Sequence, residues 1–219
     1  MKNIIGLSGL ATSGKDLFFE LLSKEIKCKK FSFADSLKQV LKGRILKEYG
    51  INVFDCSPEE KKTIRPILVE YGTQKRRESE GQYWIEKLTR AINESDADDD
   101  TTAVITDVRY NVYANDEVSW LKEKLKGTLV YIKKYKLTKD GIVMYTSPPN
   151  DEERRNDPLV KGTADYTVNW EHLSSSNHEE IKTKLRPYII NFLNWRKDNA
   201  RRRRDTDKQL QGERLRQKL

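Results

Sequence analysis

Apolar clusters alternate with polar breaks along the chain in a rhythm that predicts strands and helices in turn. Residues 3–9, Asn-Ile-Ile-Gly-Leu-Ser-Gly, form a short apolar run ending in glycine, the pattern of a buried strand. From Lys15 the period changes, and Leu17, Phe18, Leu21, Leu22 and Ile26 recur at helical spacing. Lys29 to Ala34 reads as a second strand, followed by a helix from Asp35 or Ser36 through Leu37, Val40 and Leu41. Ser57 is placed as a helix cap, with Pro58 at the first position and Glu59 and Glu60 in the first turn. Trp84, Ile85, Leu88 and Ile92 mark an amphipathic helix over 82–94.

Asp96 to Asp100 is an acidic surface loop, and the β-branched run 101–106 after it predicts a strand ending at Asp107. Val118, Leu121 and Leu125 mark a helix, residues 129–132 a strand, and residues 164–168 a last strand. The stretch 136–163 between them is polar and contains proline, which suits a mobile lid. A helix is expected from about Glu179 to Lys197, with Pro187 kinking or restarting it. This alternation predicts the α/β class, a parallel sheet flanked by helices on both faces.

The length of 219 residues allows one sizeable domain with inserted lobes. No apolar run approaches the roughly 18 residues of a membrane span, and too few apolar residues precede Ser8 for a signal peptide. Cys28 and Cys56 offer neither a disulfide framework nor a metal-ligand spacing, so a reduced, cytoplasmic protein is expected. The net charge of +8 is concentrated: residues 196–219 hold ten basic and four acidic residues, leaving the body at +2. The basicity therefore belongs to a C-terminal appendage, and the near-neutral body suits an enzyme.

Gly9-Leu10-Ala11-Thr12-Ser13-Gly14-Lys15 fits GxxxxGK between a predicted strand and a predicted helix, the context a phosphate loop requires. Glycines let the backbone turn its N–H groups inward, the helix N-terminus adds a positive dipole end, and Lys15 adds a full charge. Asp16 stands where Ser or Thr usually meets Mg²⁺. A carboxylate there is able to ligate the metal, act as a base or orient the acceptor; it also stabilises a helix N-terminus without any further role.

Five separated segments carry a resemblance. Ser13-Gly14-Lys15-Asp16 is similar to the phosphate loop of phage-type deoxynucleoside monophosphate kinases, and Phe33-Ala34-Asp35-Ser36-Leu37-Lys38 to their second-strand segment. The block Arg65 to Gln74, then Arg77 and Tyr83-Trp84, resembles their arginine, Gly-Thr, arginine and tryptophan block. Ile105-Thr106-Asp107-Val108-Arg109, with Asn115 and Glu117 behind it, resembles their Asp-x-Arg strand end, and Ala164 to Asn169 their closing strand. The likeness is spread in order over roughly residues 3–195; the tail 196–219 lies outside it.

The resemblance implies an adenylate-kinase-like P-loop domain over 1–195 with a monophosphate-binding lobe and a lid at about 136–163. It implies ATP and Mg²⁺ as donor and cofactor, held by Gly9, Ala11, Ser13, Gly14, Lys15, Asp16 and Leu17, with Lys133 near adenine. Lys15, Asp16 and Arg109 would be catalytic, and Asp16 and Asp107 would face the metal. Lys38, Arg65, Arg77 and Arg109 would grip the acceptor phosphate, because guanidinium forks match phosphate oxygens. Gly72, Thr73, Gln74 and Trp84 would bind the deoxynucleotide, Gln74 and Trp84 at its base, although Trp84 at helical spacing with Leu88 is more often a core residue. Arg154, Arg155 and Lys161 in the lid either close on ATP or form a solvated face. A phage origin, and with it the host cytoplasm, is implied by the resemblance alone.

Three alternatives remain open. A phosphomevalonate-kinase-like enzyme shares the Ser-Gly-Lys-Asp loop, whereas a kinase of dephospho-coenzyme A normally has Ser or Thr at position 16. A nucleic-acid-binding protein would use Arg201 to Arg204. A homodimer is compatible with all of them.

Overall fold

Six strands form one sheet in the computed structural model, which describes residues 3–173 and 177–216, with 203–216 as backbone only. The chain runs β1 (Asn3–Ser8), α1 (Lys15–Glu25), β2 (Cys28–Phe31), α2 (Phe33–Tyr49), α3 (Pro58–Glu78), α4 (Gln82–Asn93) and β3 (Thr102–Ile105). It continues through α5 (Glu117–Ser119) with a π-helical turn (Trp120–Lys124), β4 (Thr128–Leu137), β5 (Val143–Tyr145), α6 (Asp151–Lys161), β6 (Tyr166–Glu171) and α7 (His178–Arg216). Strands β2, β3, β1, β4 and β6 lie side by side in that order, all parallel. This is an α/β fold with a mostly parallel sheet flanked by helices.

The central strands are buried along nearly their whole length, which is why they read as apolar runs rather than alternations. Their side chains join Trp84, Ile85 and Leu88 of α4 in the main core. A second cluster, Leu41 and Ile45 of α2 with Ile51, Val53 and Ile64, holds α3 against α2. Ser57 caps α3, as the sequence predicts, and Glu60 reaches back to complete a capping box. The helix then passes through Pro66, which takes one N–H from the ladder on an exposed turn.

Several boundaries move for identifiable reasons. The second strand ends at Phe31, because Ser32 adopts extended backbone and its hydroxyl accepts from Asp35 N–H, so α2 begins at Phe33. Strand β4 runs five residues past the predicted 129–132, since its polar end is paired on both edges, by β6 and by antiparallel β5. The predicted helix at Val118 and Leu121 is a three-residue turn and a π turn, closed by Leu125 N–H on Trp120 O at 3.0 Å. The stretch 136–163 is built from the β5 hairpin and α6.

The chain divides into two compact units, one ending at Glu171 and one beginning at His172. The second unit contains α7, which continues through Pro187 as one helix and carries the backbone of the basic tail to Arg216. No described helix is long and apolar enough to cross a membrane. Cys28 and Cys56 are both free thiols.

Candidate active site

The loop Gly9–Lys15 leaves the carboxyl end of β1, the strand between β3 and β4, where ligand crevices form in open parallel sheets. Its shape requires positive φ at Gly9 (135°), Thr12 (65°) and Gly14 (99°). The value at Thr12 is strained for a β-branched residue, and strain of this kind gathers at ligand-binding loops. A Cβ on Gly9 would lie 2.3 Å from the Ile132 carbonyl oxygen, and one on Gly14 would lie 2.6 Å from the Trp170 ring. Trp170 donates its indole N–H to Ser13 O at 2.9 Å, fixing the turn from below.

Lys15 Nζ donates to Gly9 O at 2.6 Å and Leu10 O at 2.9 Å, so the ammonium lies across the loop. Burial, and secondarily the Arg109 charge, lower its pKa to about 8, although Glu153, Asp107 and Asp16 act in the opposite sense. Ser13 Oγ is buried without a hydrogen-bond partner among the described residues. A strained glycine loop at a helix N-terminus, with a part-buried ammonium and an unsatisfied hydroxyl, fits a polyphosphate.

The two carboxylates expected at Mg²⁺ differ. Asp16 is largely exposed in the first turn of α1 and meets Lys30 at 2.7 Å. Magnesium bound to nucleotides usually takes one or two protein carboxylates and fills the rest with phosphate and water, a demand Asp16 fits. Asp107 instead accepts from Phe33 N–H at 2.8 Å, Ala34 N–H at 2.9 Å and Ser32 Oγ at 3.2 Å. It caps the N-terminus of α2 and ties it to the end of β3. Burial raises its pKa against the pull of those donors.

Beyond Asp107 the chain is held by a buried ionic network. Glu117 accepts from the backbone N–H groups of Arg109 and Tyr110 at 2.7 and 3.2 Å. Arg76 of α3 makes a two-pronged contact with Asp116, 2.9 and 2.5 Å, and lies 3.8 Å from Glu117. Its guanidinium stacks 3.6 Å from the Tyr110 ring centre. Burial pushes the Glu117 carboxyl up to about 8. At Asp116 burial acts the same way, but Arg76 and the Val112 N–H outweigh it and hold the carboxyl below its usual range.

A cleft of about 380 Å³ opens between these parts, lined by Gly9 of the loop, Arg65 of α3, Arg109 and Tyr110, and Glu153 and Asp157 of α6. A neighbouring recess of about 310 Å³ is bounded by Thr73 and Arg77 of α3, Tyr110, Tyr113 and Arg155. The structure thus brings Gly9, Arg65 and Arg109 to one cavity, and Thr73 and Arg77 to the adjoining one. Leu17 lies partly buried in the first turn of α1.

Other sequence candidates are engaged elsewhere. Trp84 is buried in the core, with its indole N–H on Gly72 O at 3.0 Å, so its ring is not presented to a base. Gly72 itself lies where α3 crosses Leu37. Gln74 turns its amide to Glu78 at 2.7 Å. Lys38 meets Asp35 at 3.5 Å and covers the Phe54 ring, and Lys133 sits 3.7 Å from the Tyr145 ring centre. Sequence reasoning did not reach Arg76, Tyr110 or the acids of α6. Glu152 accepts from Tyr110 Oη, Asp157 from Tyr131 Oη at 2.7 Å, and Glu153 from Ala11 N–H at 2.8 Å.

No protein-family profile and no curated protein matches the chain. Among solved structures it is similar to dephospho-CoA kinase from Campylobacter jejuni, at 13% identity and TM-score 0.47, over 89% of this chain and 96% of that one. It is also similar to shikimate kinase from Aquifex aeolicus, at 13% identity and TM-score 0.37, over 87% of this chain and 98% of that one. Likenesses at this level extend no further than the arrangement of strands and helices.

Proposed function

We propose that the chain is a kinase that transfers the γ-phosphoryl group of ATP, with Mg²⁺, to a deoxynucleoside monophosphate. The observation that supports this reading is that Gly9, at the start of the loop, lines one cleft together with Arg65 and Arg109. Lys15 and the loop N–H groups take the charge of the donor phosphates, and Arg65 and Arg109, which line the same cleft, hold an acceptor phosphate. The acceptor oxygen is already anionic, so it attacks Pγ in line without needing a base, while the bond from Pγ to the β-phosphate oxygen breaks and ADP leaves. Lys15 and Arg109 neutralise the charge spread over the transferring group. Mg²⁺, held through Asp16, would supply further neutralisation and alignment of the donor.

The base of the acceptor would enter the recess beside Tyr110 and Tyr113, with Thr73 and Arg77 at its edge. A coupled ADP-release assay tests the reading with Mg²⁺-ATP and a panel of deoxynucleoside monophosphates, their ribose counterparts and phosphomevalonate. Turnover of deoxynucleotides, with ribonucleotides much slower, is expected.

A second reading keeps the donor site and changes the acceptor. It is favoured by Gln74 and Trp84, whose polar groups are taken by Glu78 and Gly72 rather than left for a base. Turnover of phosphomevalonate alone would establish this reading. Silence across the whole panel would turn attention to the basic residues of α7 and nucleic acid, with steeply salt-dependent binding as the signature.

A further inference from the structure

The phosphate loop already holds an anion of the protein's own. Ala11 N–H, in the middle of the loop, donates to Glu153 Oε2 at 2.8 Å, and Glu153 Oε1 lies 3.8 Å from Arg109 Nη1. The Glu153 side chain is only 17% exposed. Asn150 caps α6, and three acids, Asp151, Glu152 and Glu153, occupy its first turn. Favouring the helix dipole explains acids there in general. Asp151 meets that need in solvent, at 84% exposure, whereas Glu153 reaches across to another segment. Glu152 and Asp157 fasten the same helix to Tyr110 and Tyr131.

We propose that Glu153 is an internal phosphate mimic, through which α6 closes the donor site and which must withdraw when nucleotide binds. This rests on the reading of Gly9–Lys15 as the donor-phosphate site. One N–H cannot serve a carboxylate and a phosphate oxygen at full strength, and two anions on one loop repel. The incoming phosphate therefore displaces Glu153, and the same displacement frees Arg109 for the transferring group. Only the fraction of molecules with α6 withdrawn is competent to bind, so the apparent affinity is reduced by that fraction. Glu153 would thus couple donor arrival to release of an arginine that the acceptor also needs, and would favour donor binding first.

The test is equilibrium binding of Mg²⁺-ATP, and separately of inorganic tripolyphosphate, to the full chain by calorimetry. Glu153→Ala is expected to bind both about three- to tenfold more tightly than the wild type, a tenfold gain corresponding to about 1.4 kcal/mol. Glu153→Gln, which keeps the acceptor and loses the charge, should fall between them, and Asp151→Asn on the same turn should match the wild type. In amide NMR of the wild type, the Ala11 resonance should shift with tripolyphosphate and also, without ligand, in Glu153→Ala. Wild-type binding that Glu153→Ala leaves unchanged or weakens overturns the mimic while leaving the donor site standing. Failure of the wild type and Glu153→Ala alike to bind either probe overturns the donor reading, and the mimic with it.

Discussion

Trp170 donates its indole N–H to the carbonyl oxygen of Ser13 at 2.9 Å, joining the last strand of the sheet to the phosphate loop across 157 positions of sequence. The same ring packs beneath Gly14, whose φ of 99° excludes most side chains, and lies 6.1 Å from Phe18 at the base of α1. The loop's curvature is thus set by tertiary packing as well as by its own glycines. Trp170→Phe keeps the apolar contact and leaves Ser13 O without its donor, a loss of about 1–3 kcal/mol of stability. Urea unfolding should show that loss, and nucleotide affinity should fall beyond it because the loop is no longer held to its turn. Equal affinity in the two proteins would mean that the glycines alone determine the loop.

Asp16 and Lys15 separate chemistry from stability. The Asp16 side chain is 85% exposed, and its ion pair with Lys30 lies in solvent. Exposed pairs of this kind contribute about 0–1 kcal/mol, so Asp16→Ala should unfold at nearly the wild-type urea concentration. If Asp16 positions the metal, the same variant should lose most of its turnover, by roughly a hundredfold or more. Lys15→Ala should lose turnover as well and also bind ATP poorly. Near-normal rates in Asp16→Ala would assign that carboxylate to the helix terminus alone.

The parts of this molecule that are legible in sequence are those whose chemistry is consecutive. Gly9 to Lys15 form one tightly turned loop from adjacent residues, and Ser57 with Glu60 forms a cap within one turn, so both stand in the sequence as they stand in the fold. Trp84 was ambiguous because a helical stripe and a stacking platform use the same residue types, and the spacing with Leu88 proved the better guide. Asp107 lies at a strand end, as read, but the partners that occupy it, Phe33 and Ala34, are more than seventy residues away. Glu153 stands in a polar stretch with no local signal of its own, and only the return of α6 over the loop brings it to Ala11. The extension of β4 depends on backbone pairing with β5 and β6, which leaves no trace in the hydrophobic pattern of Lys133 to Leu137.

A pH dependence follows from Lys15. Its ammonium is destabilised chiefly by burial, with a pKa of about 8. Phosphate binding favours the charged form, so above pH 8 binding must take up a proton. Beyond the ligand's own titration, which Lys15→Arg shares, affinity for tripolyphosphate should be level below about pH 7 and fall above 8, by up to about tenfold per pH unit. Lys15→Arg, whose guanidinium stays protonated throughout, should show no such fall up to about pH 9.5. A level profile in the wild type would mean that Lys15 does not titrate in this range.

Glu117 gives the folding equilibrium its own pH signature. Its carboxyl is buried beneath the backbone of Arg109 and Tyr110, and burial lifts it to about 8 from an ordinary value of 4.5. In the unfolded chain the proton leaves near 4.5; in the folded chain it stays until about 8. Between those values the folded state binds more protons, so the contribution of Glu117 to stability falls as pH rises, and levels off above 8. Glu117→Gln removes the titration while its amide oxygen still accepts from both N–H groups, and Arg76 keeps its two-pronged contact with Asp116. Urea midpoints measured from pH 5 to 8.5 should therefore show the wild type losing stability relative to Glu117→Gln, by about 1.4 kcal/mol for each unit of displacement. A difference that stays constant with pH, or reverses, would mean that Arg76 holds Glu117 ionised across the whole range, leaving a buried triad of Arg76, Asp116 and Glu117 with two negative charges on one positive.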